Sequence, residues 1–192
     1  MNRVFCHVWI GPGLERPREW GHAGRVSQIE RVPEPEDGDE KSLLLGWLSF
    51  HRNALEAKCT GLSDEQLVER SASPSSLSLL GLVRHLAEME RVYGSWGNGC
   101  TCELVFVWGE YGEGQPDHDF DCDVSQVEKS MRVWRDEMAS TDGMIKDLKL
   151  DDATGADART VRWNLQKLIG EYARHNGHAD LIRERLDGVT GE

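Results

Sequence analysis

The chain has 192 residues and a formal net charge of −12, enough length for one domain with a sizeable core. An acidic excess of this size argues against a nucleic-acid partner, because phosphate contacts need clustered Lys and Arg, and against anionic membrane surfaces. No apolar run approaches the roughly 18–20 residues of a membrane span.

Residues 1–37 stand apart. Gly11-Pro12-Gly13, Pro17, Pro33 and Pro35 punctuate them and no apolar period persists, so a loose, irregular extension is expected, ending in the acidic lead-in Glu34–Glu40. Val4–Ile10 is apolar but short, is interrupted by Cys6 and His7, and lacks a cleavage pattern. The expected location is therefore cytoplasmic. Five cysteines with no framework fit free thiols, and Cys100-Thr-Cys102 with Cys122 lacks the spacing of a zinc site.

From Asp39 the pattern turns helical. Leu44, Trp47, Leu48, His51 and Leu55 form an i, i+3, i+4 series that Gly61 stops, and Ser63 with Gln66 predicts a capping box on a short helical turn. Pro74-Ser-Ser marks the next start. A second long helix is predicted from about Ser76 to about Trp96, with Leu79, Leu82, His85, Leu86, Met89 and Tyr93 inward. Gly94, Gly97 and Gly99 end it.

Residues 97–124 make a long connection, in which Leu104–Trp108 reads as either a short strand or a packed loop. Ser125 with Glu128 predicts a capping box for the third helix, whose inward residues are Val127, Met131, Trp134, Met138 and Ile145. Thr160 caps the last helix, which runs to about Leu186 and stops at Gly188. Trp47, Trp134 and Trp163 fall at core spacing. The fold class is thus all-α: a four-helix bundle over residues 38–192, with a long connection between its second and third helices.

Chemistry concentrates on the last helix. Glu171 and His175 are four apart, so both lie on one face and suit one divalent cation. At 100° per residue, with Glu171 at 0°, His175 lies at about 40°, His178 at about −20° and Ile182 at about 20°. The trio therefore falls on the inward stripe or its edge, where an unpaired carboxylate is costly. Two donors from one turn leave a site unfinished. His85, central in the second helix's stripe, is the preferred third; His51 is its rival, with Arg52 beside it opposing a cation. Bland alternatives for each are a core histidine bonded to a carbonyl, and a salt bridge from Glu171 to Arg174 or Arg84. His118 lies in the acidic connection and is expected to be exposed. Nucleophile elbows, phosphate loops and dinucleotide fingerprints are absent.

The motifs Trp47-Leu-x-x-x-Arg52, Pro74-Ser-Ser-Leu-Ser-Leu-Leu-Gly-Leu-Val-Arg-His85-Leu-Ala-Glu-x-Glu90, and Arg162-Trp163 leading into Glu171-Tyr-Ala-Arg-His-Asn-Gly-His-Ala-Asp-Leu-Ile-Arg-Glu resemble the actinobacterial branch of the DinB/YfiT-like metalloenzyme superfamily, over roughly residues 37–191. The resemblance implies a four-helix bundle with a divalent metal at one end, held by one His of the second helix and a pair from the last. On that pattern His85, Glu171 and His175 are the ligands. Glu171 replaces the usual His of the pair, which is similar to mycothiol-dependent maleylpyruvate isomerase. His178 falls where many relatives carry Gln and stays outside the ligand set, as the candidate catalytic group that orients Glu171 or moves a proton. Residues 1–37 and the Cys-rich stretch 97–122 have no counterpart in the pattern; an initiation codon placed too far upstream would account for the first.

The resemblance implies a metal-dependent S-transferase or isomerase using a small thiol of mycothiol type on an electrophilic substrate, with Arg84, Arg174 or Arg183 meeting a carboxylate on either partner. Zn suits the donor set, as do Ni, Fe or Mn. Two other readings stand beside it: a hydrolase using metal-activated water, and a non-catalytic bundle with a vestigial site. Such a bundle is compatible with a homodimer, which no pattern in the chain requires.

Overall fold

A computed structural model describes residues 29–101, 103–109, 118–155 and 157–190. The extension up to residue 28, and Cys102 of the Cys-Thr-Cys motif, lie outside them. The described residues are helical without strands: α1 (Glu40–Cys59), the short α2 (Asp64–Val68), α3 (Leu79–Met89), α4 (Val127–Ile145) and α5 (Val161–Asp187). No helix among them is long and apolar enough to cross a membrane.

Local chemistry sets the helix ends. Asp39 caps α1 by accepting from the Ser42 amide, and Gly61 follows its end with φ of 79°. Ser63 and Gln66 form the expected capping box on α2. Thr160 caps α5 by accepting from the Trp163 amide, and Gly188, at φ 80°, returns its N–H to the Glu184 carbonyl. Two starts differ from expectation. The cap of α3 is Ser78, which accepts from the Gly81 amide, so this helix begins after the Pro74 turn has closed. The second capping box is Asp123 with Gln126, on a 3-10 turn (Val124–Gln126) that leads into α4, not Ser125 with Glu128. Asp123 captures the Ser125 hydroxyl and amide, leaving Ser125 inside the turn.

The second long helix runs past Gly94 to about its expected end near Trp96, but not as regular α-helix. It continues as a π-helical turn, Glu90–Ser95, and a 3-10 turn, Trp96–Asn98, before Gly99 ends it at φ 104°. Gly94 lets this turn press against α4: a Cβ there would lie 1.9 Å from Thr141 Oγ1. Leu104–Trp108 forms neither strand nor helix.

Helix α5 is the hub, packing against α1, α3 and the π turn; α4 covers α3 and the π turn. The core is the expected apolar set, with Leu48, Leu55, Leu79, Leu82, Leu86, Trp134, Leu165, Leu168, Tyr172 and Ile182 buried. Trp163 departs from it, being 39% exposed beneath the Arg159 guanidinium. Residues 29–35 are not loose: Asn53 bonds both Val32 and Glu30 backbones, and Pro35 rests on Gly46 of α1. Cys59 and Cys122 are free thiols, as expected, but Cys100 is disulfide-bonded.

One polar network runs through this core. Glu90 has no exposed side-chain surface and accepts two 2.7 Å bonds from Arg52 of α1. Tyr172 of α5 donates to the same carboxylate at 2.8 Å, and Trp134 Nε1 of α4 donates to the Tyr172 hydroxyl at 2.7 Å. Burial works against the Arg52 charge, but the Glu90 hydrogen bonds and charge outweigh it and hold the guanidinium above its ordinary pKa. Burial, and then the Glu90 charge, pushes the Tyr172 hydroxyl well up.

The connection is fastened to α3 by a second buried carboxylate. Glu88 accepts from the backbone amides of Val107 and Trp108 at 2.6 and 3.3 Å. The Trp108 indole donates to the Arg84 carbonyl, and its ring carries the Arg84 guanidinium at 4.4 Å. Burial pushes the Glu88 carboxyl up to about 7, against the opposing pull of the Val107 amide and Arg91.

These carboxylates give two testable outcomes. Arg52→Met leaves Glu90 buried without its cation and is expected to cost about 3–5 kcal/mol in urea unfolding, with Arg52→Met/Glu90→Gln recovering part of it. A full loss in the double variant would show that the pair's charge is not what matters. The Glu88 carboxyl is held above its unfolded value of 4.5. The stability it contributes is therefore present below pH 4.5 and lost as pH rises through about 7. Glu88→Gln keeps an acceptor without the charge; its melting temperature should match the wild type at low pH and exceed it at about pH 8. An equal difference at both would contradict the latch.

Candidate functional site

The inward faces of α3 and α5 meet at His85, Glu171 and His175. One donor atom from each lies within 4.8 Å of the other two, the geometry of a group that could hold a metal ion. His85 Nε2 is 3.9 Å and His175 Nε2 3.6 Å from Glu171 Oε2, and the two imidazole centroids are 4.6 Å apart. Helical spacing explains the α5 half: Glu171 and His175 are one turn apart and share the stripe of Leu168, Tyr172 and Ile182. Register supplies the rest. With the Tyr172 hydroxyl on Glu90, its neighbour Glu171 stands opposite His85, five residues before Glu90.

Both imidazoles are held at Nδ1 and present Nε2 inward. His175 Nδ1 lies 3.2 Å from His178 Nδ1. His85 Nδ1 lies 3.1 Å from Asp119 Oδ2, a carboxylate 1% exposed, and Phe120 stacks on the His85 ring at 5.6 Å. The His85 Nε2 atom is buried and has no hydrogen-bond partner.

The electrostatics suit a neutral His175 beside an ionised Glu171. Burial, and then the charges of His85 and His178, pushes His175 down to about 4. Burial works against the Glu171 charge, but the hydrogen bond and charge of Lys167, with His85 and His175, hold its carboxyl below the ordinary value. Lys167, one turn earlier on α5, pairs with Glu171 Oε1; the alternative salt bridge to Arg174 or Arg84 does not form. The donor chemistry fits a divalent cation. Bonds of about 2.0–2.2 Å in a tetrahedral array put donors roughly 3.3–3.6 Å apart, near the 3.6 and 3.9 Å from the histidines to Glu171 Oε2 and inside the 4.8 Å that spans the group. An orphaned, buried imidazole nitrogen facing a carboxylate is otherwise expensive.

Other expected residues fall elsewhere. His51 lies beside Asn176 and Trp47, outside this group, and burial lowers its pKa. His118 is half-buried, its ring against Gly109 and its carbonyl bonded to Arg84, which corrects the expectation of exposure. Arg84 was expected to face a cosubstrate, but its guanidinium is buried and bonds the His118 and Asp121 carbonyls and Gln126, each at 2.9 Å. Arg183 is likewise buried, donating to the Lys58 and Thr60 carbonyls at the end of α1. Arg174 is exposed beside His175. His178 is half-buried and touches His175, not Glu171.

Asp119, Phe120 and Lys167 were missed. Lys167 was within reach of helical spacing, being four residues before Glu171. Asp119 sits among acidic residues in a connection with no period, and gave no signal to separate it from a solvated charge.

A family model described as mycothiol-S-transferase matches residues 43–188, which include α1 from Leu43 onward, the whole triad and the connection. No curated protein and no solved structure matches the chain.

Proposed function

This chain belongs to the mycothiol-S-transferase family, and from that premise we propose that it joins a small thiol of mycothiol type to a small electrophilic substrate at a centre where His85, Glu171 and His175 hold a divalent cation. The observation that carries the reading is the convergence of three donor atoms within 4.8 Å around a buried, unpartnered His85 Nε2. Two imidazoles and one carboxylate suit zinc, and three protein donors leave a position for a thiol sulfur. What a bound cation supplies is a preference for thiolate over thiol near neutral pH.

The chain's own residues do the remainder. Glu171, held ionised by Lys167, brings the negative charge that a dication needs. His178 engages His175 at Nδ1, which leaves Nε2 to face the centre, and its half-exposed ring is the group to pass the thiol proton to solvent. Arg174, exposed beside the triad, is the cation for a carboxylate on thiol or substrate. The sulfur then forms a bond to the electrophilic carbon as a leaving group departs, or adds to an activated double bond that takes up a proton. An isomerisation takes the second course and then expels the thiol again. Such chemistry belongs in the cytoplasm, where small thiols stay reduced.

Two measurements test this. Elemental analysis after gentle purification should find a divalent metal in the wild type. Its affinity should fall more than about 100-fold in His85→Ala and Glu171→Ala, beyond what loss of an outer partner costs; stoichiometric metal in both variants would exclude this ligand set. Turnover of an electrophile should require added thiol. Equal consumption without it would make water the nucleophile and the protein a hydrolase.

A further inference from the structure

The connection between α3 and α4 does more than cover the bundle. Its turn at His118–Phe120 brings a nearly unexposed carboxylate, Asp119, to 3.1 Å from His85 Nδ1. Burying a carboxylate is costly unless a donor repays it. The turn is fixed on both sides by one side chain: Arg84 donates to the carbonyl of His118 before it and of Asp121 after it. Phe120 covers the face of the same imidazole and lies against α3 at Gly81, where a Cβ would fall 2.9 Å from its ring. His85 is thus gripped at one edge and on one face by consecutive residues of the connection.

This grip has a chemical consequence. A neutral imidazole carries its proton on one nitrogen only. In water, free histidine favours the proton on Nε2, the wrong form for an Nε2 donor. An ionised carboxylate at Nδ1 reverses that preference, because the N–H must point at it. The lone pair then sits on Nε2, the buried atom that faces Glu171 without a hydrogen-bond partner.

We propose that Asp119 is a positioning residue that sets His85 in its Nδ1–H tautomer and aims Nε2 at the centre, so that the connection is an integral part of the metal site. The cation side of this statement rests on the reading given under Proposed function; the tautomer side does not.

The experiment has two readouts on wild type, Asp119→Asn and Asp119→Ala. Zinc affinity is measured by competition with a chromophoric chelator. The His85 ring tautomer is read from ¹⁵N chemical shifts in metal-free protein, assigned by comparison with His85→Gln. Zinc binding should weaken on the order of 10–100-fold in Asp119→Ala, less in Asp119→Asn. The ring should be Nδ1-protonated in the wild type and move toward the Nε2–H form in Asp119→Ala, with helical circular dichroism unchanged. Wild-type affinity in Asp119→Ala, or an Nε2–H ring in the wild type, overturns the proposal. If the wild type binds no zinc yet shows the Nδ1–H ring that Asp119→Ala loses, the positioning role stands and the metal reading fails. Should Asp119→Ala not fold, the wild-type tautomer and Asp119→Asn decide.

Discussion

Glu90 is the pivot of this fold. Its carboxylate lies in the dry interior and takes hydrogen bonds from Arg52 and Tyr172, with Trp134 behind the tyrosine. Three helices are therefore tied to one point on the second long helix. Apolar packing alone tolerates small slips between helices, since a leucine row fits many offsets. A bidentate ion pair with a buried tyrosine does not, because any slip strands a charge in a low-dielectric core. That intolerance fixes which residue of α5 faces which residue of α3. The triad inherits its alignment from this fixed register.

The site itself balances opposing costs. Glu171 keeps its charge because an ammonium neutralises one of its oxygens, while His175 is held neutral chiefly by its burial. The centre thus combines two imidazole nitrogens with one hard anion, a composition that suits a borderline cation. Around it, buried groups that could be taken for substrate contacts serve structure: Arg84 binds the connection and Arg183 closes the end of α1.

Much of this was legible in the chain. The helices announce themselves by apolar period and caps, and the i, i+4 spacing of Glu171 and His175 gives their shared face directly. The position of His85 in its stripe pointed to the helix that faces Glu171 and His175, and the family match over residues 43–188 agrees with the resemblance carried by those motifs. What stayed hidden has a common cause. Asp119, the Glu88 latch and the commitment of Arg84 depend on where an aperiodic segment lands, and such a segment carries no repeat from which to read a facing direction. Trp163 misled for the opposite reason: its spacing is that of a core residue, but it falls at the beginning of α5, where 39% of its surface stays open under Arg159.

The π turn at Glu90–Ser95 sets an angular offset between the α-helical part of the second long helix and the 3-10 turn that ends it. Each residue added to a helix rotates all later side chains by about 100°. Here the wider coil absorbs one, so His85 and Glu88 upstream, and Trp96 and Asn98 downstream, each face their own neighbours. That offset lets His85 turn toward Glu171 of α5 while Gly94 turns its bare backbone toward Thr141 of α4. One widened turn thus lets a single helix serve two differently oriented seams.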